Sequence, residues 1–405
     1  MSDDLVPRGT KAEFTWPFER TDPLLPPPEY KEARRSGELT QVQMWDGSSS
    51  WMAARHEDVR TLLRHPAMSA DSSRAGYPNS NANHAASRGS QRGFIRMDGA
   101  EHNTQRRMVA RELSIPQVAK LRPYIEEVVD RLLDDMEGAG APADLLTSLA
   151  EPLPSSAICE ILGLPAEDSH FLLDMVNRWM NLDSTPTESA TASAELTAYL
   201  DALVTARLNN PGEDLVSRLV TDQLNQGTIT RPDLVAVLNL LIVGGFDTTA
   251  NMIALGTILL LRHPDQMREL REDPSLFPSA IEEMLRFLSV AHHVASRVPT
   301  EDITVREVTI QAGTGVLAPV PAANHDPEVF TKPDHFDIHR DARDHMAFGF
   351  GVHQCLGQNL ARLELQVVFT KLLERFPHLA LAVPENELEF RNSMIYGVRA
   401  VPVTW

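Results

Sequence analysis

The sequence predicts a mainly α-helical fold with a small β portion, and three observations carry that expectation. Apolar residues recur at helical spacing over 117–137, 196–208, 234–262, 280–288 and 356–376. Strand-like patterning is confined to 303–310, 315–319 and a weak stretch at 398–403. No internal repeat and no linker divides the chain, so residues 1–405 are read as one domain with a helix-rich core and a smaller β-containing region.

Composition bounds the function before any motif is considered. Hydrophobic residues at 42% and charged residues at 23% suit an ordinary globular chain with a large core. A net charge of −19 opposes attraction to phosphate backbones and anionic lipid, so neither nucleic acid nor a membrane is an expected partner. The N-terminus lacks the pattern of a signal peptide, and no uninterrupted run of about 18 apolar residues occurs, so a cytoplasmic protein is expected. Two cysteines, Cys159 and Cys355, exclude a disulfide framework and fit a reducing compartment. The string LVPRG at 5–9 is either an expression scar or native sequence and carries no weight.

Along the chain, Pro23, Pro26, Pro27 and Pro28 favour an extended arm over a helix. Residues 71–93, DSSRAGYPNSNANHAASRGSQRG, are too polar and too rich in Gly, Ser and Asn for a regular element. So long a loop is either a flap over a ligand pocket or a disordered connection. In MDGAEHNTQRRMV, His102 and Arg106 stand four residues apart on one helical face. The long apolar helix after Thr230, which with Asp233 forms a capping pattern, carries Gly244, Gly245, Asp247, Thr248 and Thr249 at its middle. Glycines weaken a helix there, and the Thr248 hydroxyl can bond the Gly244 carbonyl four residues back and open the ladder. Taken alone, this is equally a kinked core helix. Glu283 and Arg286 in AIEEMLRF, three apart, are alone no more than a surface ion pair.

The most informative segment is FGFGVHQCLGQNLARLEL, which begins at Phe348 and sets Cys355 between a glycine-rich loop and an amphipathic helix. Gly349 and Gly351 let backbone pass close to a flat ligand, and Gly357 permits tight packing just beyond the cysteine. A thiolate at a helix start gains from the free N–H groups and the dipole, and those hydrogen bonds tune a metal bound to it. An isolated cysteine is more often an inert buried thiol. Zinc is disfavoured because no further Cys or His stands at ligand spacing, whereas haem iron needs a single proximal protein ligand.

Phe348, Gly349, Gly351, His353, Cys355 and Gly357 match FGxGxHxCxG, and by this motif the chain resembles the cytochromes P450, in particular soluble actinobacterial hydroxylases. The resemblance implies the P450 fold and haem b, with Cys355 as the axial ligand to iron. It implies that His102, Arg106, Arg297 and His353 hold the haem propionates, and that Gly244 and Thr248 lie against the cofactor. Thr248 would steady the bound oxygen and Asp247 relay protons, so that the O–O bond breaks productively. FDIHR at 336–340 is similar to the segment that brings a second arginine to Glu283 and Arg286, giving a structural cluster with Arg340. By position, Leu240, Val243, Gly244, His293, Val294 and Ile395 would face the substrate, with Met175, Trp179, Met180 and the 71–93 loop near the entrance.

The activity so implied is a monooxygenase that hydroxylates or epoxidises an apolar small molecule such as a secondary metabolite, steroid or drug-like compound. Dioxygen is the oxidant. No flavin or nicotinamide fingerprint occurs, so two electrons must come from a partner, by the resemblance a ferredoxin served by its ferredoxin reductase. Arg107 and Arg111 are either its docking patch or a solvated helix face. A monomer is expected. Three rivals stay open at this point: a peroxide-driven peroxygenase, a nitric oxide reductase of the same family and a haem sensor without turnover. Retention of Asp247 and Thr248 argues against each.

Overall fold

The core forms around one helix, Arg231–Arg262, 32 residues long. Its start follows from sequence: Thr230 accepts a hydrogen bond from the Asp233 N–H, and Pro232 lies in the first turn, where a missing donor does no harm. Its end is set by Pro264, which opens the next helix, Pro264–Glu272. By length and composition this helix could cross a membrane, but 61% of its apolar window is buried inside the protein, as befits a core element. Two glycines let other helices approach it closely. A Cβ on Gly256 would stand 2.6 Å from the Phe369 ring of the Gln358–Arg375 helix. One on Gly245 would stand 2.4 Å from Ile158 of Pro152–Leu162.

This computed structural model describes residues 14–82, 85, 93–180, 184–391 and 393–405. LVPRG at 5–9 and positions 83–84 and 86–92 of the polar loop lie outside the described residues, as does the side chain of Met180. The described ends of that loop are anchored. A Cβ on Gly76 would collide with the Gly313 carbonyl at 1.8 Å, Trp45 Nε1 donates to Asn79 O at 2.8 Å, and Gly93 packs on Leu240.

The fold is mainly α with a small β portion, as expected, and several boundaries differ for physical reasons. The 117–137 stretch is two helices, Ile115–Lys120 and Arg122–Ala139, because Pro123 starts a new first turn. The 196–208 stretch begins earlier, at Pro186, where Thr185 and Glu188 form a capping box. The 303–310 stretch is a hairpin, Ile303–Val305 against Val308–Ile310, turned by Arg306 at φ 54°. Arg306 is held there by Asp58, 2.7 Å from its Nε. The 398–403 stretch is split between two sheets: Gly397–Val398 pairs with Phe390–Arg391, and Pro402–Thr404 pairs with Ala380–Leu381 and Ala143–Asp144.

The largest sheet runs in the spatial order Phe14–Thr15, Thr40–Gln43, Ser49–Met52, Gly315–Leu317, Ser296–Pro299, Met68–Ser69. Its fifth strand carries Arg297 toward the cysteine loop.

Candidate active site

The cysteine loop is a tightly tied piece of backbone. The Cys355 N–H donates to Phe348 O at 2.7 Å, closing the loop on itself, and Gly349 and Gly351 adopt φ of 70° and 75°, which favour glycine. Gly351 answers first to the protein: a Cβ there would meet Leu63 O at 2.6 Å, so the loop is pressed on the His56–Arg64 helix. At Gly357 a Cβ would stand 3.9 Å from Cys355 Sγ, an ordinary contact, so the protein's own packing does not demand glycine there. Burial raises the Cys355 thiol above its ordinary value, while the backbone N–H groups of Gly357 and Gln358 and the charges of Arg106 and Arg362 pull it down. Cys159, the other cysteine, is buried with its thiol pushed up to about 12 and is inert.

Two ion clusters brace this loop. In one, Glu283 and Arg286 are both wholly buried, with Arg286 Nε and Nη2 at 2.6 and 2.8 Å from the carboxylate and Arg340 Nε at 3.1 Å. Arg286 also donates to Asn324 O at 2.7 Å, and Asn324 Oδ1 accepts from the Met346 N–H at 2.7 Å, just before Phe348. The cluster therefore reaches the loop through Asn324. The second cluster escaped sequence reasoning. Arg362 is bidentate to Glu282 at 2.6 and 2.9 Å, His345 lies 3.0 Å from the same carboxylate, and Arg362 stacks over Phe348 at 4.6 Å. His345 and Arg362 hold Glu282 down at about 2 against the effect of burial. Only the i, i+80 spacing of Glu282 and Arg362 links them, and no local pattern reveals that.

Beside the loop, basic groups converge. His102 and His353 rings stand 4.4 Å apart, and Arg106 Nη2 donates to Gln354 O at 2.6 Å. Arg297 is buried and donates to Ser296 O at 2.8 Å. Among the described residues, His102 Nε2 and His353 Nδ1 are buried without a partner. His353 is pushed down to about 3 by burial and by Arg297, His102, Arg106 and Arg96 around it. Asp98 is engaged by the Ser69 hydroxyl and by the Ala70 N–H at 2.9 Å. Orphaned donors crowded with like charge fit carboxylates such as haem propionates. Arg96, which donates to the Tyr77 hydroxyl, joins this set and was missed because its segment carries no pattern of its own.

Between its ends the central helix is buried except at Leu240, Val243, Gly244, Gly245 and Thr248; Gly245 packs on Ile158, which leaves the other four. They recur at three- and four-residue spacing and so share a face. Among the described residues, a Cβ on Gly244 would meet no atom outside its own helix within 4 Å, and the Thr248 hydroxyl donates to Gly244 O at 2.9 Å, as its spacing predicts. Val294 is half-buried and Ile395 is buried. The His293 ring is buried, stacked on His292 at 3.7 Å and against the edge of Trp16 at 4.6 Å. Met175 is 3% exposed with its sulfur against Arg178, and Trp179 is partly buried against the same core.

Two buried acids flank this face. Asp247 Oδ1 accepts from Arg391 Nη2 at 2.9 Å and from Asn251 Nδ2 at 2.7 Å, while its Oδ2 is buried without a partner among the described residues. Glu364, on the cysteine helix, is 1% exposed, and burial pushes its carboxyl up to about 8 against a hydrogen bond from Thr249. Arg391, Asn251 and Glu364 were not foreseen.

A thiol at a helix start, unpartnered imidazole nitrogens among arginines beside it and a central helix with Gly244 clear of other described atoms fit a haem-thiolate site. Comparison with known proteins agrees. Residues 155–395 match the family model described as Cytochrome P450. The chain is 43% identical over 398 residues to pentalenic acid synthase of Streptomyces avermitilis, covering 98% of both chains. It is 43% identical over 408 residues to the vitamin D3 dihydroxylase of Streptomyces griseolus, covering all of both. Among solved structures, mycinamicin VIII C21 methyl hydroxylase from Micromonospora griseorubida, bound to mycinamicin VIII, superposes with a TM-score of 0.91 at 38% identity, covering 97% of this chain and 100% of that one. The chain belongs to the cytochrome P450 family; it is a monooxygenase, and its cofactor is haem b.

Proposed function

We propose that the protein hydroxylates or epoxidises an apolar small molecule, a secondary metabolite, steroid or drug-like compound, with electrons from a ferredoxin and its ferredoxin reductase. The observation that carries this reading is the cysteine loop. Cys355 stands at a helix start under the N–H groups of Gly357 and Gln358 and is assigned as the iron ligand. Haem supplies the binding and reductive activation of dioxygen. His102, Arg106, Arg297 and His353 are assigned to the two propionates, supported by the orphaned imidazole nitrogens. Gly244 leaves room beside the cofactor. Thr248 and Asp247 are assigned to hold and deliver protons, Thr248 through its hydroxyl and Asp247 through its unpaired oxygen. Glu283, Arg286 and Arg340 keep the loop in place.

Leu240, Val243, Gly244, Val294 and Ile395 are assigned to the substrate walls, apolar surfaces that suit an apolar ligand. Relatives named for vitamin D3 and mycinamicin VIII support that substrate class. A single catalytic unit over residues 1–405, acting as a cytoplasmic monomer, completes the reading. Optical titration of the ferric protein with steroids, macrolides, terpenoids and fatty acids tests it. One class is expected to move the Soret band from low to high spin by displacing water from iron, and absence of any thiolate–haem spectrum sinks the assignment of Cys355.

For the ferredoxin, the exposed Arg107 and Arg111 offer positive charge on the proximal side. Asn359 of the cysteine helix donates to Leu113 O at 3.1 Å, so these arginines lie beside the loop, near the exposed apolar Ile115 and Val352. Arg107→Glu is expected to slow ferredoxin-supported reduction on the order of tenfold at low salt, with the haem spectrum intact. Equal rates for variant and parent would remove this docking face.

A further inference from the structure

Asp247 is not a free carboxylate on a helix. Arg391 reaches it from the C-terminal hairpin, where Arg391 pairs with Gly397, and its Nη2 is shared between Asp247 Oδ1 at 2.9 Å and Asn251 Oδ1 at 3.1 Å. Asn251, wholly buried one turn along the helix, returns its Nδ2 to both Asp247 O at 2.8 Å and Asp247 Oδ1 at 2.7 Å. The hairpin can come this close only because residue 397 lacks a side chain: a Cβ there would stand 1.8 Å from Asn251 Oδ1. Two donors thus occupy one carboxylate oxygen and fix the side-chain torsion. The other oxygen, Oδ2, is buried, unpartnered among the described residues and adjacent in sequence to Thr248.

We propose that Arg391, with Asn251, is a positioning residue for proton delivery: it clamps Oδ1 of Asp247 so that Oδ2 is the oxygen presented to the site. This rests on the reading of Asp247 as the acid of the pair. The clamp ties that acid to the C-terminal hairpin, an element apart from both the cysteine loop and the central helix. A buried charge pair sharing a third amide holds geometry better than either contact alone. Glu151 is the other acid whose charge is felt by both Arg391 and Asp247, and Asn177 of the Ser169–Met180 helix holds it at 3.3 Å.

The experiment uses the haem-loaded protein as Arg391→Gln, Arg391→Lys, Asp247→Asn and the Arg391→Gln/Asp247→Asn double variant. Electrons come from a ferredoxin with its reductase or from photoreduced deazaflavin, under air and without substrate. Peroxide formed per electron pair and the rate ratio in H2O and D2O are read. Arg391→Gln is expected to raise the peroxide share at least threefold and change the solvent isotope effect in the direction of Asp247→Asn. Arg391→Lys is expected to restore at least half of the difference, and the double variant to resemble Asp247→Asn. Urea unfolding supplies a readout apart from turnover: the midpoint shifts of the two single variants should sum to more than that of the double. If Asp247→Asn behaves as the parent, the assignment of the acid falls. If Asp247→Asn is impaired and Arg391→Gln is not, the assignment of Arg391 alone falls.

Discussion

The backbone of the Cys355 loop and the ion clusters behind it are closed on themselves, whereas on the central helix valences are left over. On the cysteine side the loop N–H closes on Phe348 O, Arg286 and Arg340 saturate Glu283, and Asn324 links that cluster to Met346. On the opposite side the Thr248 hydroxyl returns to its own helix and, among the described residues, Asp247 keeps one oxygen unpaired and Gly244 has no contact within 4 Å of a Cβ. One side is tightly held, as the proposed assignment of Cys355 to iron requires. The other is held at one end and open at the other, as the proposed role of Asp247 and Thr248 in holding and passing protons requires. Buried polar groups are ordinarily satisfied, so those left over mark where a cofactor, a ligand or a proton belongs.

The comparison is sharpened most by breaking the tied side. Removing one member of a buried ion cluster leaves the other charges uncompensated, which costs about 3–5 kcal/mol. Glu283→Ala, which strands Arg286 and Arg340 together, is expected to lower unfolding stability by that amount and to loosen haem retention, read by urea unfolding and by Soret absorbance after gel filtration. Asp265→Ala, at the exposed Arg268–Asp265 pair, is the control and should change neither. A Glu283→Ala protein as stable as its parent would mean that the loop is braced by Glu282, His345 and Arg362 instead.

The same contrast explains what could be read in the sequence. The cysteine side is written in short contiguous strings: 348–357 carries Cys355 and its glycines, and Glu283 and Arg286 share one helical turn. Leu240, Val243, Gly244 and Thr248 were named by their place relative to the family motifs, and the helix sets them at three- and four-residue spacing on one face. The clamp on Asp247 joins residues 144 apart, and no periodicity announces it. The contact of the His293 ring with Trp16 was likewise not legible, since the two are far apart in sequence. The 303–310 hairpin read as one strand because its turn uses Arg306, held in a left-handed conformation by Asp58, where a glycine or asparagine would have signalled the reversal.

Glu364 lies where the two sides meet, rooted on the cysteine helix and touching Thr249 of the central one, and it offers a finer test of how dry that junction is. Its carboxyl titrates at about 8 in the folded chain against an ordinary 4.5. Between those values the folded state holds a proton that the unfolded state has released, so stability falls as pH rises through the window. Each pH unit inside it costs about 1.4 kcal/mol, so the fall from pH 6 to 7.5 attributable to this group is about 2 kcal/mol. Glu364→Gln keeps the shape and removes the titration. Its unfolding free energy, measured in urea at pH 6 and 7.5, should therefore decline less than that of the parent by about that amount. Parallel pH profiles would show water reaching Glu364 between the two helices, and the junction would then belong with the open side of the site rather than the tied one.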